Sequence, residues 1–222
     1  AATLVPPTED NAAGLADVLK KIWCRPDVNI AGNDFFCKLA PKQLMFIGSS
    51  RYNSDGTVTK GSAEGGRKII IYEVNQFDRT NATRLKRYMK TIHHEFGHIL
   101  NQTKPYTTDF KEITGTLYVG DSCWDTYKTD ASALQVGLIS RYAGSEDTED
   151  FVELISIYVT RPQEAWDKLL TTAGADGAAI INQKFEIVRN YLQNSWNINI
   201  DELRESVLRR ADEVPDMDLE SL

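Results

Sequence analysis

All three histidines of this 222-residue chain lie in one ten-residue segment, TIHHEFGHIL at 91–100. His94, Glu95 and His98 form an HExxH pattern within it. Residues at i and i+4 of an α-helix share one face, with Cβ atoms about 5–6 Å apart, so that two imidazoles can hold one Zn²⁺. The glutamate between them can act as general base toward a water on that metal. The segment therefore predicts a helix that presents a zinc site.

The apolar pattern around these histidines also predicts a helix. A buried stripe at steps of four and three is formed by Leu85, Met89, Ile92, Phe96 and Ile99. At 100° per residue, His94 and His98 lie about 200° from this stripe, so they are not expected to be core histidines. Gly97 weakens a helix, and its position predicts the close approach of another segment or a substrate. His93 faces elsewhere and is not predicted to bind metal.

The third metal ligand has to come from another part of the chain. Catalytic zinc sites commonly have three protein ligands, and no further histidine exists. A carboxylate is therefore predicted, with Cys123 as the alternative. Lys104 stands where a metzincin would have its third histidine, which excludes that pattern. In the acidic segment 142–153, Glu149 is the candidate ligand, and Glu146 and Glu153 are its rivals.

Two further residues of this segment are assigned roles. Glu153 lies one helical turn after Glu149 and is expected to accept a hydrogen bond from the outer N–H of a ligand histidine. Alternatively, both acids only offset the dipole at the start of a helix. Tyr142, two turns before Glu149, is predicted to stabilise the oxyanion that forms when an amide is hydrolysed. The alternative for Tyr142 is a packed surface aromatic.

The pattern along the chain predicts an α+β fold, with a small N-terminal β-sheet and a mostly helical C-terminal half. Strands are expected in 43–52 and 66–77, separated by a Gly-containing loop, and 103–129 is expected to be loop with short strand-like pieces. Helices are predicted at 11–24, 81–102, 131–143, 149–172, 176–196 and 200–212. The tail 214–222 is expected to fray. The length suits a single domain over 1–222, in which 1–78 hold the N-terminal helix and β-sheet and 79–222 hold the active-site helix and the helical part.

Composition narrows the class of partner. With 25 basic and 32 acidic residues, the net charge of −7 argues against a nucleic-acid partner. No apolar run approaches the roughly 20 residues that a membrane-spanning helix needs. The three cysteines lack a CxxC spacing, which indicates neither a disulfide scaffold nor a cysteine zinc site. Cys24 and Cys37 would pair only in an exported protein.

Longer segments resemble a known group. HHEFGHILNQ, ISRYAGSEDTEDFVELISIYVT, AEGGRKIIIY and the N-terminal LVPP resemble the substrate import-associated zinc metallohydrolase lipoproteins of Bacteroidota. The resemblance implies a zincin-like fold and a peptidase-type zinc site. It also implies an exported outer-membrane lipoprotein, at the cell surface or the periplasmic face, that is encoded near TonB-dependent nutrient importers and has such an outer-membrane import system as a partner. Its only attachment to the membrane would be a lipid anchor outside this chain.

The spacing from Tyr142 to Glu149 also resembles the lethal-factor type of metallopeptidase, in which a tyrosine and then a glutamate follow the HExxH. This resemblance implies the oxyanion role for Tyr142 and the ligand role for Glu149.

The leading hypothesis is a zinc-dependent peptidase that acts on a peptide or protein, with Glu95 as general base. An edge strand within 43–77 is expected to hold an extended peptide by strand addition. The alternative is a zinc-containing cell-surface binding lipoprotein that assists nutrient import without proteolysis. A third interpretation, a helical scaffold with a coincidental motif, predicts no tightly bound metal.

Overall fold

A computed structural model describes residues 3–54, 56–65 and 67–217 of the chain. The helices are α1 (Glu9–Leu19), α2 (Arg25–Ala31), α3 (Asn33–Leu39), α4 (Ala82–Thr103), α5 (Asp109–Thr114), α6 (Cys123–Thr126), α7 (Asp130–Gln135), α8 (Asp147–Val159), α9 (Gln163–Trp196) and α10 (Ile200–Asp212). The strands are β1 (Gln43–Phe46), β2 (Arg51–Tyr52), β3 (Val58–Thr59), β4 (Gly61–Glu64) and β5 (Lys68–Ile71). A π-helical turn over Lys20–Cys24 joins α1 to α2. The α+β class predicted from the sequence is confirmed.

The sheet is small, and its apolar central strand is β5. Strand β5 pairs in parallel with β1 and antiparallel with β4, with Ile71 opposite Gly61. Strands β2 and β3 form a separate antiparallel ribbon. Ile69 and Ile71 of β5 are fully buried, as expected for a central strand of consecutive β-branched residues. In the part of the chain that is described, β4 pairs only with β5, so β4 is an edge strand.

Helices α4 and α8 pack directly against each other in the core. Helix α4 begins where the Asn81 side chain accepts a hydrogen bond from the backbone N–H of Arg84 at 3.0 Å. The residues of its apolar stripe are buried. A Cβ at Gly97 would lie 3.0 Å from Cγ1 of Val152 on α8. Another segment therefore approaches closely at Gly97, as predicted.

Two predicted helices end earlier than expected. The prediction for 149–172 was wrong, because α8 ends at Val159 and Pro162 immediately precedes α9. A proline disfavours helical backbone in the residue before it, so Arg161 is not helical and the predicted helix is divided into α8 and α9. The prediction for 131–143 was also too long, since α7 ends at Gln135 and Gly137 turns the chain with a φ of 89°. Within α9, Gly174 is non-helical with a φ of 71°, and the stretch after it corresponds to the predicted helix at 176–196.

Two other segments were assigned wrongly. The Gly-containing loop before β5 holds β3 and β4, which form because they pair with β2 and β5. Residues 103–129 contain short helices and 3₁₀ turns, and no strand in the described chain. The aromatic residues that suggested a strand there connect this segment to α8 instead, since the Tyr118 hydroxyl donates to Asp150 at 2.8 Å.

Some expectations concern the ends and the surface of the molecule. Residues 214–216 form a 3₁₀ turn, and the rest of the predicted frayed tail, from 218 on, lies outside the described residues. Cys24, Cys37 and Cys123 are free thiols. Within the described ranges, no helix combines the length and the apolar character needed to cross a membrane.

Candidate metal centre

The two histidines of the HExxH segment meet one carboxylate from the neighbouring helix. Nε2 of His94 on α4 lies 2.9 Å from Oε2 of Glu149 on α8, and Nε2 of His98 lies 3.3 Å from the same oxygen. Among the described residues, these three form the one group of metal-ligating side chains whose ligand atoms all lie within 4.8 Å of one another. The structure therefore brings together the three residues predicted as ligands.

The geometry and chemistry of this group suit zinc. Ligands at about 2.0–2.2 Å from a tetrahedral Zn²⁺ lie about 3.4 Å from one another. The separations of 2.9 and 3.3 Å between the histidine nitrogens and the Glu149 oxygen are close to that value. Two imidazoles and one carboxylate are also the donor set of one class of catalytic zinc site, which keeps a further position for water.

Glu153 contacts the ring nitrogen of His94 that does not face Glu149. Its Oε1 lies 3.0 Å from Nδ1 of His94, which leaves Nε2 directed toward Glu149. Nζ of Lys90 lies 2.7 Å from the same carboxylate, and the Ser140 hydroxyl donates to it at 2.7 Å. Burial alone would raise the pKa of Glu153, but Lys90 and His94 hold it well below its usual range.

The pKa values of the ligand residues depend on one another. Although burial favours its neutral form, hydrogen bonds to Glu149 and Glu153 raise the pKa of His94 to about 10. Burial also acts against ionised Glu149, yet the two histidines lower its pKa to about 2. Histidine and carboxylate ligands bind metal in their deprotonated forms, so zinc binding would release any proton that this cluster holds.

Glu95 lies beside the edge strand of the sheet. It is buried in the wall of a cavity of about 350 Å³ that also includes His94 and Tyr142, and burial raises the pKa of its carboxyl. A Cβ at Gly61, the first residue of β4, would lie 2.8 Å from Oε1 of Glu95 and 2.6 Å from Cγ2 of Thr91. Glycine at this position therefore lets β4 approach the predicted general base.

Tyr142 reaches the site from a 3₁₀ turn just before α8. Its ring centroid is 6.0 Å from that of His94 and 6.2 Å from that of Trp124. Burial raises the pKa of its phenol, and the charge of Glu149, to which it is hydrogen-bonded, adds to this effect. The backbone N–H of Ala143 donates to the Ser140 hydroxyl at 3.1 Å, which ties this turn to the carboxylate behind His94.

The remaining candidates lie elsewhere. Glu146 is exposed at the residue before α8, and Cys123 is buried among core residues. Neither belongs to the group around His94. His93 is buried with its Nδ1 2.8 Å from the carbonyl oxygen of Met89, so it does not face this group.

Sequence reasoning missed three residues of the site. Lys90 lies four residues before His94, so helical spacing could have placed it on the same face. Ser140 and Gly61 left no comparable signal, because a loop and a strand pairing bring them to the site.

Comparison with known proteins gives a consistent result. Residues 1–201 match the profile of a family described as "Putative zinc-binding metallo-peptidase". The chain is also similar to a crystal structure of a protein with that description from Bacteroides caccae ATCC 43185, with 35% identity and a TM-score of 0.84. The alignment covers 99% of this chain and 84% of that one. A comparison with curated proteins found no match. Because the family match spans most of the sequence, the chain belongs to this family of zinc-binding metallo-peptidases.

Proposed function

We propose that the protein is a zinc-dependent peptidase whose metal is held by His94, His98 and Glu149. The observation that carries this proposal is the approach of both histidine Nε2 atoms to one Glu149 oxygen, with Glu95 in the wall of a cavity that also includes His94. A structural zinc site would be closed by four protein ligands. Here three residues are grouped as ligands, and one of them, His94, lines a cavity with room for water and for a substrate carbonyl.

The residues of the chain have separate tasks in this mechanism. Zinc at this site would supply Lewis acidity, which lowers the pKa of a bound water toward about 7. Glu95 takes a proton from the attacking water and returns it to the leaving amine. Tyr142 donates a hydrogen bond to the oxygen on which negative charge develops. Glu153 orients His94 through Nδ1.

The substrate is proposed to lie as an extended strand along β4. The other edge of β4 is paired with β5, and its first residue, Gly61, lines the cavity that contains Glu95. Backbone hydrogen bonds to an edge strand bind a peptide whatever its side chains are. A side chain at position 61 would collide with Thr91 and Glu95, so this path requires glycine.

The test of this proposal starts from Glu95→Gln. This variant is expected to bind one zinc per chain, as the wild type does, and to lose turnover by a factor of at least about 100, the lower range for general-base catalysis. Zinc is measured by elemental mass spectrometry, and cleavage by digestion of a peptide library followed by mass spectrometry. Cleavage at the wild-type rate would rule out Glu95 as the base.

A matched pair of variants tests the third ligand. Glu149→Ala is expected to lose most of its zinc, whereas Glu146→Ala, which removes an exposed acid three residues earlier, is expected to retain it. Full retention by Glu149→Ala would overturn this ligand set. Tight zinc binding without cleavage of any peptide would favour a binding protein instead, and no zinc in the wild type would contradict the enzyme proposal.

The cellular setting is proposed on sequence resemblance alone. The resemblance supports an exported outer-membrane lipoprotein beside a TonB-dependent import system. In that setting, cleavage would act on peptides or proteins outside the cytoplasm.

A further inference from the structure

Three cationic side chains line the cavity beside the candidate metal centre. They form what we call the cationic wall, which consists of Lys60, Arg87 and Lys90. Since the whole chain carries a net charge of −7, composition does not predict such a group. Arg87 and Lys90 also precede His94 by seven and four residues, so the wall follows one face of α4 away from the metal ligands.

The negative partners of the wall are buried beneath it. Nζ of Lys60 lies 2.9 Å from Oε2 of Glu73, which also contacts Arg87, and Nζ of Lys90 lies 2.7 Å from Glu153. The side chains of Glu73 and Glu153 are 5% and 1% exposed, whereas those of Lys60 and Lys90 are 43% and 38% exposed. The positive ends of these pairs therefore face the cavity.

The cationic wall carries more positive charge than the two carboxylates that contact it, and Glu95 is a further carboxylate in the same cavity. Three cations share two carboxylates, and Glu153 is also hydrogen-bonded to His94. Glu73 is already satisfied by Arg87 and by the Ser50 hydroxyl, which donates to it at 2.7 Å. Lys60 is a second cation on Glu73, since its Nζ lies 2.9 Å from both carboxylate oxygens. It is the most exposed cation of the wall.

The backbone fixes the wall before any ligand arrives. Glu73 has a φ of 63°, a left-handed conformation that is unusual for a residue other than glycine. It is held there by the Tyr88 hydroxyl, which donates to its carbonyl at 2.7 Å, and by its own N–H, which donates to Ser49. Lys60 and Arg87 are therefore anchored to a rigid carboxylate, which limits the entropy lost when they bind an anion.

We propose that the cationic wall is a subsite for a carboxylate of the substrate, either an acidic side chain or a free C-terminus. This inference rests on the proposed peptidase function and names the substrate class for the same site. A carboxylate can accept charge-assisted hydrogen bonds from the exposed ammonium groups.

The geometry also locates this carboxylate on the substrate. Along the axis of α4, Lys90 precedes His94 by about 6 Å and Arg87 by about 10.5 Å, at 1.5 Å per residue. An extended peptide advances about 3.3 Å per residue. For a peptide that runs alongside α4, the recognised carboxylate is therefore two to three residues from the bond that is cleaved.

The test uses peptides matched in pairs. One pair differs by Glu against Gln, scanned through the three positions on each side of the cleaved bond, and another by a free against an amidated C-terminus. Wild-type protein loaded with zinc is expected to favour the carboxylate form by about tenfold in kcat/KM at one position two or three residues away. The two pairs distinguish an acidic side chain from a chain terminus. Increasing salt is expected to reduce the preference, because the wall is partly exposed.

Variants of Lys60 assign this preference to the wall. Lys60→Met is expected to bring the ratio of the two kcat/KM values toward one, and Lys60→Arg to keep it. Lys168→Met removes the same charge from an exposed position on α9 and is expected to leave the ratio unchanged. Equal ratios in wild type and Lys60→Met would overturn the subsite. A thermal unfolding midpoint for each variant confirms that it is folded.

A binding measurement distinguishes failure of the subsite proposal from failure of the peptidase proposal. Zinc-loaded Glu95→Gln is titrated calorimetrically with the same peptide pairs. Tighter binding of the carboxylate peptide without cleavage by wild type would keep the subsite and reject the peptidase. Cleavage of both peptides at equal rates, with equal affinities, would keep the peptidase and reject the subsite.

Discussion

Helix α8 carries two buried carboxylates three residues apart, and each is paired with a lysine from another helix. Glu153 contacts Lys90, whose side chain is 38% exposed in the cavity. Asp150 contacts Lys184 of α9, and both of these side chains are completely buried. The same pair of chemical groups therefore occurs once at an open site and once in a sealed core.

The difference lies in which charges lose their water. In the sealed pair both ions are desolvated, and burial raises the pKa of Asp150 while it lowers the pKa of Lys184. The Tyr118 hydroxyl donates to one Asp150 oxygen, and the other oxygen has no partner among the described residues. In the open pair only the carboxylate is buried, so the lysine keeps donors for a ligand. In this chain, the ion pair at the candidate site is therefore the one in which one ion stays accessible.

The largest effect is expected from Lys184→Met, which breaks the sealed pair. Asp150 would remain buried without a cation, and breaking such a pair costs about 3–5 kcal/mol of unfolding free energy. Urea denaturation measures this loss. The double variant Asp150→Leu/Lys184→Met should recover most of the stability, because it removes both charges together. A loss under about 1 kcal/mol in the single variant would contradict the importance of this pair.

An intermediate effect is expected from Glu153→Gln, which changes the open pair. Loss of the carboxylate behind a ligand histidine commonly lowers metal affinity by about 10–100-fold. Competition with a zinc chelator measures this change. Asp150→Asn is the matched control, since it should lower stability and leave zinc affinity unchanged. Equal zinc affinities in Glu153→Gln and wild type would remove the distinction between the two carboxylates.

The smallest effect is expected from Ser140→Ala. This change removes one hydrogen bond to Glu153 and one from the turn of Tyr142, and should cost about 1 kcal/mol of stability. Turnover should fall by about fivefold because Tyr142 is less well placed, while zinc affinity changes little. Ser140→Thr, which keeps the hydroxyl, should restore kcat. A variant whose kcat equals that of wild type would show that the turn needs no such support.

The sequence predicted the open site better than the sealed one, because helical spacing is a local property. The i, i+4 spacing placed His94 and His98 on one face. Because the chain has no further histidine outside this segment, the third ligand was predicted to be an acid such as Glu149. Asp150 and Lys184 are 34 residues apart and gave no local signal. Their contact depends on how α8 and α9 pack.

The fold was predictable to a similar degree. Helix α4 was predicted almost to its ends, since its apolar period is long and regular. Strand β4 was missed because Gly61 and its polar neighbours have low strand propensity, and strand β3 because it is only two residues long; pairing with β5 and β2 decides their conformation. The break at Pro162 was readable from the sequence and was overlooked.

The contact between Gly97 and Val152 has a consequence for how such a chain can change. Gly97 adjoins His98, and Val152 adjoins Glu153. Because a Cβ at position 97 would lie 3.0 Å from Val152, even one added methyl group would move the two helices apart by tenths of an ångström. The distance between the helices also sets the distance from His98 to Glu149. Substitutions in the core that contact no ligand can therefore change the metal affinity. The core and the metal centre consequently have to evolve together.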